Sequence, residues 1–132
     1  MESVSVIIVN WNTGKLLSRC LEAIEQLPER SAIRHVVIVD NASGDTSLVQ
    51  AKAIAEHAGV TILAQNNNLG FAKANNIGIR YVQEHDGSDD HILLLNPDTI
   101  VHPNAIEHMI NVLMSRENIG IVGPKLLEPT GD

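Results

Sequence analysis

The stretch Val4-Ser5-Val6-Ile7-Ile8-Val9-Asn10-Trp11-Asn12 decides how the rest of the chain is read. An apolar, β-branched run that hardly alternates is the pattern of a strand buried on both faces, and such strands belong to parallel sheets covered by helices. Four more runs of this kind follow: Val36 to Val39, Val60 to Ala64, Ile92 to Leu95 and Ile119 to Val122. Between them the apolar residues take a helical period. Leu16, Leu17, Cys20, Leu21, Ile24 and Leu27 share one stripe, which Pro28 helps to end. Asp45 is placed to cap a second helix over about 46–58, with Gly59 just past its end. A third helix is predicted from Phe71 to Glu84 and a fourth from Pro103 to Arg116, opened by His102-Pro103. The predicted order is β-α-β-α-β-α-β-α-β, an α/β fold in three layers, α/β/α, with a mostly parallel sheet and right-handed crossovers.

Composition narrows the function. The chain has 132 residues, nine Lys+Arg, sixteen Asp+Glu and a formal net charge of -7. That length fits one domain over residues 1–132. A nucleic-acid reader needs clustered Lys and Arg to neutralise phosphates, and no basic block is present, so no nucleic-acid partner is expected. Cys20 is the single cysteine, which leaves neither an internal disulfide nor a cysteine zinc site. No apolar run nears the 18 or so residues of a transmembrane segment, and Met1-Glu2-Ser3-Val4 lacks the basic start of a secretory signal. The expected location is cytoplasmic, at most against the inner face of a membrane.

In a parallel α/β sheet, ligands sit beyond the carboxyl ends of the strands. Those ends run into Asn10-Trp11-Asn12-Thr13-Gly14, Asp40-Asn41-Ala42-Ser43-Gly44-Asp45, Asn66-Asn67-Asn68-Leu69-Gly70 and Asn96-Pro97-Asp98-Thr99. Nine of the twelve asparagines fall in or just after these loops, a concentration that exceeds what their turn preference alone asks for. Asparagine offers a donor and an acceptor together, which suits reading the edge of a polar ligand. A dinucleotide-binding Rossmann domain, for NAD or S-adenosylmethionine, shares the alternation but needs G-x-G-x-x-G after its first strand. Here an indole and one glycine stand in that turn.

Four motifs, in order along the chain, resemble family 2 glycosyltransferases, most closely the rhamnosyltransferase-like members. They are Val4 to Asn12, Val37 to Asp45, Asn68-Leu69-Gly70-Phe71-Ala72-Lys73-Ala74-Asn75-Asn76-Ile77-Gly78 and Leu93 to Thr99. The resemblance implies a GT-A fold, a UDP- or dTDP-sugar donor, a divalent metal (Mg²⁺ or Mn²⁺) and a saccharide or lipid-linked acceptor. It also implies inverting transfer in cell-envelope polysaccharide synthesis. Val9, Asn10, Trp11, Asn12 and Ser43 would line the nucleoside pocket, and Asp40 would accept the imide N–H of uracil or thymine. Asn68, Gly70, Asn75 and Asn96 would lie near the sugar-phosphate. Asn96-Pro97-Asp98 takes the place of the family's D-x-D motif, so Asp98 would be the metal ligand, with Asn96 departing from the usual acid.

Related enzymes continue into a half that carries the acceptor site and the catalytic base, and no residue here is assigned that base. The chain is therefore expected to be the donor-binding half alone, inactive by itself. A non-catalytic nucleotide-binding fragment or scaffold is the alternative. Leu126-Leu127-Glu128-Pro129-Thr130-Gly131-Asp132 reads as a strand entering a hairpin, and an unpaired edge near 121–127 is expected to take a second copy of the chain. His85, Asp86, Asp89, Asp90 and His91 are expected to form a solvated loop away from the cleft. Trp11 would either stack on a base or pack on the sheet edge.

Overall fold

A computed structural model describes residues 1–131. The elements are β1 (Val4–Asn10), α1 (Leu16–Glu25), β2 (Ile33–Asp40), α2 (Ser47–Ala58), β3 (Thr61–Ala64), α3 (Phe71–Glu84), β4 (His91–Leu95) and α4 (Ala105–Met114). Each strand pair is parallel, and the sheet order is β3-β2-β1-β4. The chain steps outward from β1 to β3, then crosses back to lay β4 on the other side of β1. Strand order thus reverses between β1 and β4, the place where sheets of this kind open a crevice.

The alternation along β1 divides the core. Val4, Val6 and Ile8 face α1, α2 and α4, where Leu17, Cys20, Leu21, Ile24, Ala51, Ile106 and Ile110 are buried against them. Ile7 faces the other way, with Val37 and Val39, onto Ala74 and Val82 of α3. Burying one such Leu or Ile side chain is worth about 2 kcal/mol, so α1 is held mainly by its apolar stripe. On the α3 side the fit is closer. A Cβ built on Gly78 would stand 2.6 Å from Cγ2 of Ile7 and 3.3 Å from Cγ2 of Val39, so only glycine lets the helix sit this near the sheet.

Three expectations need correction. The run Ile119 to Val122 forms no strand: Ile121 is 92% exposed, and Pro124 nearby has no N–H to give a ladder. Nor do Leu126 and Leu127 form one, although Gly131 N–H does close a turn onto the Glu128 carbonyl at 2.8 Å; Asp132 of that expected hairpin lies outside the described residues. The fourth helix opens at Ala105, not at His102-Pro103, because Asn104 takes a left-handed conformation (φ 64) that breaks the helical path before it. The Asn104 N–H there is met by Oε2 of Glu29 at 3.1 Å, a cap delivered from the segment before β2.

The acidic and histidine-rich segment 85–91 does lie at the opposite end of the sheet from the strand carboxyl ends, but Asp90 is not a solvated residue. Its side chain is 1% exposed, accepts the hydroxyls of Ser3 and Ser5 at 2.5 Å each, and pairs with Nε of Arg34 at 3.1 Å. Burial pushes its carboxyl up, but the Ser3 and Ser5 hydroxyls with Arg34 and His35 outweigh that and hold it below the usual range. His91 pairs with Glu2 at 2.6 Å. No group of three or more metal-ligating side chains occurs among the described residues.

Candidate functional site

Because all four strands run the same way, the loops that follow them share one rim. Asn10 and Asp40 are register partners at the ends of β1 and β2. By alternation both point to the α1/α2 side, with Ile8 and Ile38. Both are buried, at 0% and 3% exposure. A buried carboxylate costs several kcal/mol unless it is met by donors. The loop supplies them. Oδ1 of Asp40 accepts Nδ2 of Asn10 at 2.8 Å and the Ser43 hydroxyl at 2.7 Å, while Oδ2 accepts the Ser43 N–H at 3.0 Å.

Asn10 is the hub of this arrangement. Beyond Asp40, its Nδ2 donates to the Ser47 hydroxyl at 3.0 Å and, at longer range, to the Ser43 hydroxyl at 3.3 Å. Its Oδ1 accepts the Thr13 hydroxyl. The two loops are then fastened along their length. Asn12 N–H donates to the Ser43 hydroxyl at 3.0 Å, Gly44 N–H to Oδ1 of Asn12 at 2.8 Å, and Gly14 N–H to Oδ2 of Asp45 at 2.9 Å. Oδ1 of Asp45 accepts both the N–H and the hydroxyl of Ser47, the first residue of α2, from one place ahead of the N-cap, which is Thr46 and not Asp45 as its sequence position suggests. The Ser47 hydroxyl and N–H, with Gly14 N–H, hold the Asp45 carboxyl below its usual range. Asn12 (φ 51) and Ala42 (φ 58) adopt left-handed backbone that side chains resist, a cost of order 1 kcal/mol each which this network sustains.

Asn41 carries the fastening to the third loop. It is 2% exposed, its Oδ1 accepts Leu69 N–H and its Nδ2 donates to the Gly70 carbonyl, both at 3.3 Å. Asn68 accepts Gly70 N–H at 2.9 Å, and Gly70 sits at φ 82, ψ 173, a conformation open to glycine alone, just before α3 begins. Asn75, in the first turns of α3, is buried. Its Nδ2 donates to the Phe71 carbonyl at 3.0 Å, and its Oδ1 has no partner. Val9 is half-buried, whereas Trp11 is 55% exposed.

The fourth loop is barer. Asn96 and Asp98 are exposed, and the described bonding is the turn in which Thr99 N–H and hydroxyl donate to the Asn96 carbonyl at 3.3 and 2.7 Å. Thr99 and Asp98 both act on Cys20 of α1. Its thiol is pushed up to about 11 by burial first, against a lowering hydrogen bond from Thr99 and with a further raising contribution from the Asp98 charge. Asp40 ends β2, and Asp98 lies in the turn that follows β4, the two strands that flank β1. One exposed carboxylate suits Mg²⁺ or Mn²⁺, which keep waters and take phosphate oxygens as their other ligands. A hollow of about 360 Å³ at the other end of the sheet, lined by Glu29, Ser31, Asn104 and Glu107, touches none of the rim residues.

The sequence placed Asn10, Asp40 and Ser43 in the site but gave no role to Thr13, Asn41, Asp45 or Ser47 beyond the helix cap. The polar spacing 40, 43, 45, 47 was the available signal, since Asp and Ser two or three residues apart fold loops through side-chain-to-backbone bonds.

Residues 5–127 match the model of Glycosyl transferase family 2, and the chain belongs to that family. Among curated relatives, an N-acetylglucosaminyl-diphospho-decaprenol L-rhamnosyltransferase from Mycobacterium tuberculosis is 27% identical over 96% of this chain and 42% of its own length. Among solved structures, the mannosyltransferase PcManGT from Pyrobaculum calidifontis, in complex with GDP-Man and Mn²⁺, superposes with a TM-score of 0.71. It is 21% identical over 84% of this chain and 32% of that one. Residues 1–349 of S. aureus TarS, in complex with UDP, give a TM-score of 0.70 at 16% identity, over 86% and 32%. The fold is thus the GT-A glycosyltransferase fold. The chain spans about two fifths of the length of the curated relatives it matches.

Proposed function

We propose that this chain is the donor-binding part of an inverting glycosyltransferase that takes a UDP- or dTDP-sugar. It would pass the sugar to a hydroxyl of a saccharide or lipid-linked acceptor in cell-envelope polysaccharide synthesis. The observation that carries this reading is the placement of Asp40 and Asp98 on one rim, either side of β1, beside the point where strand order reverses. Asp40 receives the base and Trp11 offers it an open aromatic face. Asn68, Gly70, Asn75 and Asn96 lie along the sugar-phosphate, with the unpartnered Oδ1 of Asn75 as an acceptor for a ligand hydroxyl. Asp98 holds Mg²⁺ or Mn²⁺, a hard cation that offsets the charge growing on the diphosphate as the sugar leaves. The Mn²⁺ in the mannosyltransferase structure supports a metal of this class. No helix among the described residues is long and apolar enough to cross a membrane.

Calorimetric titration of UDP and dTDP, with and without MnCl₂, tests the reading. Binding of either nucleotide that tightens with Mn²⁺ is expected. A folded protein that binds neither overturns it.

A further inference from the structure

The hydrogen-bond inventory around Asp40 bears on which bases the site accepts. An ionised carboxylate has four acceptor positions, two on each oxygen. Oδ1 has both filled, by Asn10 Nδ2 and the Ser43 hydroxyl, and Oδ2 has one filled, by the Ser43 N–H. The donors are themselves committed. The Ser43 hydroxyl spends its proton on Asp40 while accepting from Asn12 N–H, and Asn10 directs its remaining N–H at Ser47. Reorganising any of them breaks a second bond in a buried cluster. One acceptor position is left, on Oδ2.

We propose that Asn10 and Ser43 are specificity-determining residues: by saturating Oδ1 they make Asp40 a single-acceptor reader that takes a base with one imide N–H and discriminates against guanine. This rests on the nucleotide-sugar reading above and adds to it the basis of selection among bases. Uracil and thymine present one N–H flanked by two carbonyls, so the free position on Oδ2 satisfies the only donor they have. Guanine presents N1–H and an N2 amine side by side and needs both oxygens of a carboxylate. Here its second donor would be desolvated against an oxygen with no lone pair to give, and an unmet buried donor is penalised more heavily than a made bond is rewarded. Cytosine offers a ring acceptor at the same place and meets the carboxylate with repulsion. Ser43 and Asn10 act on the base through Asp40 and touch no reacting atom.

The test is a competition between UDP, dTDP, GDP and CDP for the intact 132-residue chain in MnCl₂, followed by calorimetry. UDP and dTDP are expected to bind at least about tenfold tighter than GDP, with CDP weakest. Ser43→Ala frees one position on Oδ1, so the UDP-to-GDP preference should fall at least about threefold, and Ser43→Thr, which restores a hydroxyl, should recover it. The ratio is the readout because a loop that is merely loosened weakens all nucleotides alike. Asn10→Ala is the stronger variant, but its buried hub makes folding the first thing to check, so Ser43 carries the test. GDP binding as tightly as UDP, or a ratio unmoved in Ser43→Ala, overturns the inference while leaving nucleotide binding intact. Failure of all four nucleotides to bind removes the functional reading itself.

Discussion

The two halves of the rim are built differently. Over β1 and β2, the loops 10–14 and 40–47 are joined by at least six side-chain hydrogen bonds between them, with Asn10 and Asp40 buried at the centre. Over β4, Asn96 and Asp98 stand exposed on a four-residue turn closed by Thr99. Under the proposed reading, the difference corresponds to what each half would recognise. A base is rigid and planar, and selecting it demands acceptors held in place before it arrives. A hydrated cation brings its own shell and tolerates a carboxylate that moves. Preorganisation is concentrated where selectivity among similar ligands is needed.

Asn10→Ala should break this contrast most severely. It leaves Oδ1 of Asp40 and the Ser47 hydroxyl each short of a donor and opens space beneath the loop. A loss of about 3 kcal/mol in urea unfolding is expected, with nucleotide binding reduced in parallel. If the loss stays under about 0.5 kcal/mol, the clasp is not what holds the two loops together. Asn41→Ala is the next in size. It cuts two longer bonds to the third loop, and about 1 kcal/mol is expected, with faster amide exchange at Leu69 and Gly70 but not at Ser43.

Acid should act on both ends of the sheet in the same direction. Asp45 and Asp90 are held below their unfolded range, so each contributes stability that is present above an unfolded pKa of about 3.9 and is lost as pH falls through the lower folded value. Unfolding followed between pH 6 and pH 2 should therefore show the stability falling below about pH 4. Asp90, buried among Ser3, Ser5 and Arg34, accounts for more of this than the exposed Asp45, so Asp90→Asn should flatten the acid limb more than Asp45→Asn. The reverse order would mean that the fastening at the rim is the more acid-sensitive of the two.

What the sequence disclosed and what it hid divide along the same line between local and distant causes. The buried strands were legible because Val6-Ile7-Ile8-Val9 and Val36-Val37-Ile38-Val39 have one economical use, in a sheet covered on both faces. Gly59 was legible because a left-handed residue after a helix is a local demand, and it is found at φ 67. The start of α4 was not, since the Asn104 N–H is met by Glu29, 75 residues earlier. Asp90 reads as loop polarity in the sequence because the groups that bury it are far away along the chain, Ser3 and Ser5 around the start of β1 and Arg34 on β2. Ile119 to Val122 has a strand's composition, but a strand also requires an edge to pair with, and composition does not say whether one is within reach. In the site, residue types at the strand ends pointed to the rim. That Asn10 turns inward to serve Asp40 depends on how two loops meet, which no single stretch encodes.

Asp98→Ala should leave stability within about 0.5 kcal/mol of the parent, the smallest structural effect of the set, because an exposed side chain without a hydrogen-bonded partner has little to lose. Its functional effect is selective. The part of UDP affinity that depends on Mn²⁺ should vanish, while the metal-free part, which rests on Asp40 and its neighbours, should persist. Asn96→Asp makes the complementary variant: a second carboxylate two residues away strengthens the hold on a hard cation, so half-maximal Mn²⁺ in the same titration should fall. If Asp98→Ala binds UDP and responds to Mn²⁺ as the parent does, the metal is held elsewhere, and the sparse half of the rim is simply a turn.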